Sequence, residues 1–222
     1  RRSGADIAVI SAERLEYADP EILRAAMAAN LPKLGAAARI IVYVRPHAER
    51  LVSGYAEQIK QGIFHGSLEE LHARTSDRAR ERNFHYYERF ARWREVFGDR
   101  FELRPMIRDR LHNRDAVQDF LHWALRGEEF SVSEPSERNV SLPLQDLALL
   151  REMHRVAGQV AGGGKKGPGK PAPARVGLAL RLGRRLGAAP LASPTKLALH
   201  RSLAEEVVET YRADAEALDA AF

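Results

Sequence analysis

Cysteine is absent from this 222-residue chain. That excludes disulfides, cysteine-ligated zinc, iron–sulfur clusters and a thiol nucleophile, and it fits a reducing compartment. Long apolar runs are absent too: none approaches the roughly 20 residues needed to span a bilayer. Acidic residues are missing from one long interval. Between Glu152 and Glu205 there is none, while ten Lys and Arg fall there. Those ten exceed the whole net charge of +5, so the rest of the chain is acidic on balance. The basicity belongs to one segment, which argues against nucleic acid as a partner of the whole protein. The histidines are scattered, and no His-x-x-x-His pair with acidic company suggests a metal site. The Gly-x-Ser-x-Gly elbow of Ser-His-Asp hydrolases is also missing. The first residue is Arg1, not Met. We expect a fragment whose natural start lies upstream, so the lack of a signal peptide says nothing.

What is present suffices for a sizeable core, since 45% of the residues are hydrophobic. Residues 7–10, Ile-Ala-Val-Ile, read as a short buried strand. Asp19-Pro20-Glu21 has the form of a helix start, with Asp as N-cap and Pro at the first helical position. That helix should run to about Asn30. Residues 39–44 read as a second strand. Pro46 or His47 should open a helix to about Lys60, with Leu51, Val52, Tyr55 and Ile59 on one face. Gly62 should end it, and Ser67-Leu-Glu-Glu70 has the spacing of a capping box.

Residues 86–97 should be helical, because Tyr86, Phe90, Trp93 and Phe97 recur every three or four positions. Gly98 stops that helix, and residues 101–103 read as a third strand broken by Pro105. Asn113 is the expected cap of a helix carrying Val117, Phe120, Leu121 and Leu125 inward. Pro143 should open a helix to about Val156. Residues 196–222 read as one final helix with Leu199, Leu203, Val207, Tyr211 and Leu218 inward. Strands alternating with helices predict an α/β fold with a parallel sheet. The expected organisation is a core over residues 1–158, a flexible Gly/Lys/Pro-rich loop over 159–175, and a C-terminal helical segment over 176–222 that packs on the core.

The stretch from Arg39 to Tyr55 carries the most information. A branched apolar strand ends at Arg45-Pro46, and Ser53 follows on the next helix. In an open α/β sheet ligands bind at the carboxyl ends of the strands. A guanidinium there suits phosphate, because its planar fork donates two parallel, charge-assisted hydrogen bonds. The plain alternative is a surface ion pair between Arg45 and Glu49, with Ser53 a neutral helix residue.

This stretch resembles the 3′-phosphate-binding segment of sulfotransferases that use 3′-phosphoadenosine 5′-phosphosulfate (PAPS). Three further stretches are similar to bacterial members of that family: Val9-Ile-Ser-Ala-Glu13; Tyr87 through Phe97-Gly98 and on to Phe101-Glu-Leu-Arg-Pro105; and Arg138-Asn-Val-Ser-Leu142. The likeness covers about residues 5–158, with weaker agreement over 211–222. It implies a P-loop-type parallel sheet flanked by helices, with the N-terminal strand and the 5′-phosphosulfate loop missing from this chain. It implies that Arg45 and Ser53 bind the 3′-phosphate of PAPS, with Arg138 as a second cation. It also implies that a sulfuryl group passes to a hydroxyl or amine of a carbohydrate or lipid acceptor, with no metal and in the cytoplasm.

Glu13 is the candidate catalytic base, a carboxylate at the mouth of the site. Its alternatives are helix capping or a pair with Arg14. His47 and His65 are rival bases. For Arg138 the alternative is a surface pair with Glu134 or Glu137. Residues 164–170, Gly-Lys-Lys-Gly-Pro-Gly-Lys, match the spacing of a nucleotide loop. But Pro171 stands where Ser or Thr should bind metal, and no strand precedes, so a basic surface loop is expected. Residues 176–186 carry Leu178, Leu182 and Leu186 on one stripe and Arg181, Arg184 and Arg185 elsewhere. A peripheral membrane or polyanion contact through 175–185 is one reading; a lid on the domain is the other. Two further function classes follow: a P-loop kinase-like phosphotransferase requiring magnesium, and a non-catalytic module that docks on a polyanion or membrane.

Overall fold

The computed structural model describes residues 7–31, 35, 37–77, 84–132, 142–160, 181, 182, 185 and 194–222. The fold is mixed α/β. The chain divides into two compact units. One draws on Arg1–Val44, Tyr86–Pro105 and Ala215–Phe222, the other on Arg45–His85 and Met106–Asp214.

In the first unit a 3₁₀ turn, Glu13–Tyr17, leads to helix α1, Pro20–Asn30. Asp19 caps α1 as its pattern predicts: its side chain accepts from the Glu21 and Ile22 N–H groups at 2.9 and 3.2 Å. Strand β1, Ile40–Val44, pairs in parallel with β2, Phe101–Pro105, in the register Ile40↔Phe101 to Val44↔Pro105. Pro105 therefore closes β2 from inside rather than breaking it earlier. A Pro is tolerated at a strand's end, where its missing N–H breaks no ladder.

These two strands form the sheet among the described residues. Residues 7–10 correct the expectation of a buried strand. They are not in a strand, and Ile7, Val9 and Ile10 are 48%, 56% and 71% exposed. An apolar β-branched run reports a preference for burial, but a strand also needs a neighbour to bond its backbone.

The core of this unit centres on helix α4, Tyr86–Phe97, whose Tyr86, Phe90, Trp93 and Phe97 are all buried with Val44, Phe101 and Leu218. Phe101 stacks at 6.1 Å on Phe90 and meets Phe222 edge-on at 5.8 Å. The Arg94 guanidinium donates to the Phe101 carbonyl at 3.1 Å. Gly98 leaves the helix at φ +56, a conformation that glycine adopts without steric cost.

The second unit is helical. It contains α2, His47–Lys60; α3, Leu68–Thr75; α5, Ala116–Ala124; α6, Leu144–Val160; and α7, Arg201–Thr210. Leu51, Tyr55 and Ile59 of α2 are buried with Leu71, Leu147, Leu150, Leu203, Val207 and Tyr211. The capping box at Ser67 and Glu70 forms in both directions.

Three expectations shift. Asn113 takes a left-handed conformation (φ 51), and Asp115 caps α5 instead, accepting from Val117 and Gln118 N–H at 2.9 and 3.0 Å. An N-cap needs extended backbone, which Asp115 has. On α5 Val117 is exposed, while Asp119 and Trp123 are buried; the His112 N–H draws Asp119 inward at 2.8 Å. The final helix is two helices, α7 and α8, the latter Arg212–Ala221. His200 caps α7, so helix begins five residues later than the pattern suggested.

Candidate functional site

Arg45 directly follows β1 and is exposed. Pro46 stands at the N-cap of α2 and gives no side-chain cap. The first intrahelical bond runs from Arg50 N–H to Pro46 O at 2.8 Å. The N–H groups ahead of it have no partner inside the helix, and the positive end of the helix dipole lies there. Ser53 lies on the same helix, about 9 Å further along the axis at 1.5 Å per residue. Leu51 and Tyr55 point into the core on either side of it in sequence, which turns Ser53 outward, and it is exposed. Among the described residues Glu49 makes no ion pair with Arg45. Arg45, the uncapped first turn and Ser53 thus share one helix and its lead-in, with a fixed cation, backbone donors and a hydroxyl.

The remaining predicted residues are placed differently. Glu13 opens the 3₁₀ turn of the other unit. Arg138, the loop 164–170 and nearly all of 176–186 lie outside the described residues. Among the described residues, no group of three or more His, Asp or Glu side chains is arranged to hold a metal ion.

His47 is drawn into the core instead of standing open as a base. Its side chain is 10% exposed. Nε2 lies 2.9 Å from the Phe84 carbonyl oxygen and 3.3 Å from Asp214 Oδ2. Both neighbours are acceptors, so Nε2 carries a proton and donates. The ring stacks on Tyr211 at 4.6 Å, within 6° of parallel. Phe84 and His85 also contact the Tyr211 ring. His72 faces it edge-on, with Nε2 3.4 Å from Thr210 Oγ1 and 3.6 Å from Glu206 Oε1. This cluster anchors the first turn of α2. Sequence reasoning singled out His47 only by its closeness to Arg45. Its partners Asp214 and Phe84 carried no signal, because their contact joins distant parts of the chain.

His65 lies in the turn after α2 and faces His154 of α6, with ring centroids 5.8 Å apart. Burial holds both histidines below their ordinary value, and the nearby His65 charge lowers His154 further. A recess of about 450 Å³ lies elsewhere in the same unit, lined in part by His112, Gln118, His122 and Phe130. The His112 and His122 rings stack there at 4.2 Å. Neither Arg45 nor Ser53 lines it.

No protein-family model, curated protein or solved structure matches this chain.

Proposed function

We propose that this chain is part of a PAPS-dependent sulfotransferase, built on a P-loop-type parallel sheet, in which Arg45 and Ser53 hold the 3′-phosphate of the donor. The observation that carries the reading is the exposed guanidinium between β1 and the uncapped first turn of α2, with the Ser53 hydroxyl outward on that helix. Arg45 carries two donors in one plane, and the first-turn N–H groups that have no partner inside the helix, with the helix dipole, favour a dianion. The residues present therefore fit a nucleotide phosphate.

The bound donor supplies an activated sulfuryl group: an acceptor oxygen or nitrogen attacks sulfur, and the sulfur–oxygen bond to the nucleotide phosphate breaks. Glu13 is the carboxylate offered for the acceptor's proton, and Arg138 the second cation on the nucleotide. A carbohydrate or lipid acceptor, a cytoplasmic setting and chemistry without a metal complete the proposal. Among the described residues no helix is long and apolar enough to cross a membrane.

Calorimetry on the full-length protein with adenosine 3′,5′-bisphosphate, the desulfated product, tests the reading. Saturable binding that exceeds AMP binding at least tenfold is expected, since AMP lacks only the 3′-phosphate and a charge-assisted bond contributes about 1.5–3 kcal/mol. Equal affinity for the two nucleotides overturns it.

A further inference from the structure

The pair His65–His154 is unusual for what surrounds it. His154 is half-buried on α6, and its Nε2 is sealed from solvent with no hydrogen-bond partner. The turn carrying His65 is packed against that ring. Gly62 sits there at φ +66, so close that a Cβ would stand 3.3 Å from the imidazole. The turn is fastened by Ile63 N–H to Gln58 O at 2.9 Å and Phe64 N–H to the same oxygen at 3.4 Å. The Tyr55 hydroxyl donates to Gly66 O at 3.1 Å and accepts from Arg151 at 3.2 Å. Arg151 and His154 lie one helical turn apart, so two side chains of α6 meet the same turn.

The charged groups of the neighbouring elements are already engaged. On α2, Glu57 pairs with Lys60 at 2.7 Å. On α3, Glu70 accepts from the Ser67 N–H at 3.0 Å, and Arg74 lies over the Phe64 ring at 5.1 Å. On α6, Glu152 pairs with Arg155 at 2.9 Å, and Arg151 adds positive charge. Neither histidine has a carboxylate partner among the described residues. A proton on His154 would create a buried N–H donor with no acceptor, beside another imidazole and an arginine.

We propose that the His65–His154 pair is an acid-sensitive contact that releases the turn between α2 and α3 from α6 when the rings protonate. The sign follows from burial. Both rings are held below their ordinary value of 6.5 in the folded state. The unfolded or opened form therefore binds more protons as pH falls through that value. The contact is fully stabilised above pH 6.5 and weakens progressively below it. No nucleotide is involved, so the contact stands or falls separately from the role of Arg45.

Hydrogen exchange at the Ile63 and Phe64 amides, compared at pH 7.5 and 5.5 after correction for intrinsic rates, reads this directly. In the parent the opening of these amides should rise up to about tenfold, the limit for one imidazole that takes up its proton only in the opened form at a pH one unit below its ordinary 6.5. His65→Gln, at a residue that is exposed with its ring only partly shielded from solvent, should keep the fold and reduce that rise. His154→Phe fills the site without a titrating group and should abolish it. A parent rise below about twofold, the noise of such a comparison against the tenfold expectation, overturns the proposal. So does an equal rise in the parent and His65→Gln, which also covers the case in which His154→Phe does not fold.

Discussion

Replacing His47 by alanine tests the cluster that anchors α2. The substitution strips the Phe84 carbonyl of a donor at 2.9 Å and Asp214 of a donor at 3.3 Å. An unsatisfied buried carbonyl costs about 1–3 kcal/mol. The lost stack on Tyr211 costs about 0.5–1.5 kcal/mol more. Asp214, whose side chain is 9% exposed, is left with one fewer donor. The contributions overlap, so the expected loss is about 2–4 kcal/mol.

The two tryptophans make the measurement specific: Trp93 belongs to the first unit and Trp123 to the second. In a Trp93→Phe background, urea unfolding followed by Trp123 fluorescence reports the unit that holds His47. The transition should move to lower urea with an unchanged slope. The double mutant cycle of His47→Ala with Asp214→Ala should show coupling of about 0.5–3 kcal/mol. A loss below about 1 kcal/mol, less than one buried hydrogen bond is worth, together with additive behaviour in the cycle, would refute the reasoning.

Arg45→Ala should raise the Kd for adenosine 3′,5′-bisphosphate about 10- to 150-fold, the equivalent of one hydrogen bond to a charged group; AMP affinity should stay the same, and calorimetry checks both. Asp115→Ala removes the cap of α5 and should cost about 1 kcal/mol, read as a lower urea midpoint for Trp123 fluorescence. Asn113→Gly, outside that cap and free of steric cost in the left-handed conformation there, should cost clearly less. Phe90→Ala empties a fully buried position between Tyr86 and Phe101 and should cost about 3–5 kcal/mol; the Trp93 signal in a Trp123→Phe background should show it.

Local grammar was legible. Asp19 before Pro20, Ser67 before Glu70, and Gly62 and Gly98 after apolar-periodic runs all mark the ends they were expected to mark. The buried faces of α2 and α4 followed from spacing alone. The same grammar misplaced the cap of α5, because Asn and Asp are both good caps and only the backbone shows which is extended. It also ran α7 and α8 together, since a break at Tyr211 leaves the apolar spacing nearly intact. Of the candidate site, Arg45 and Ser53 were visible as a strand end and an outward helix position. The burial of His47 was not.

By itself, then, the amino-acid order determined where most helices start and stop, which side of α2 and of α4 faces inward, and that a cation follows a strand. Those properties depend on neighbours three or four residues away. Only the tertiary structure decided that β1 pairs with β2 while residues 7–10 pair with nothing described. It alone decided that His47 meets Asp214 and that His65 meets His154. These contacts join segments far apart in the chain, and no short-range pattern encodes which distant partner a side chain will find.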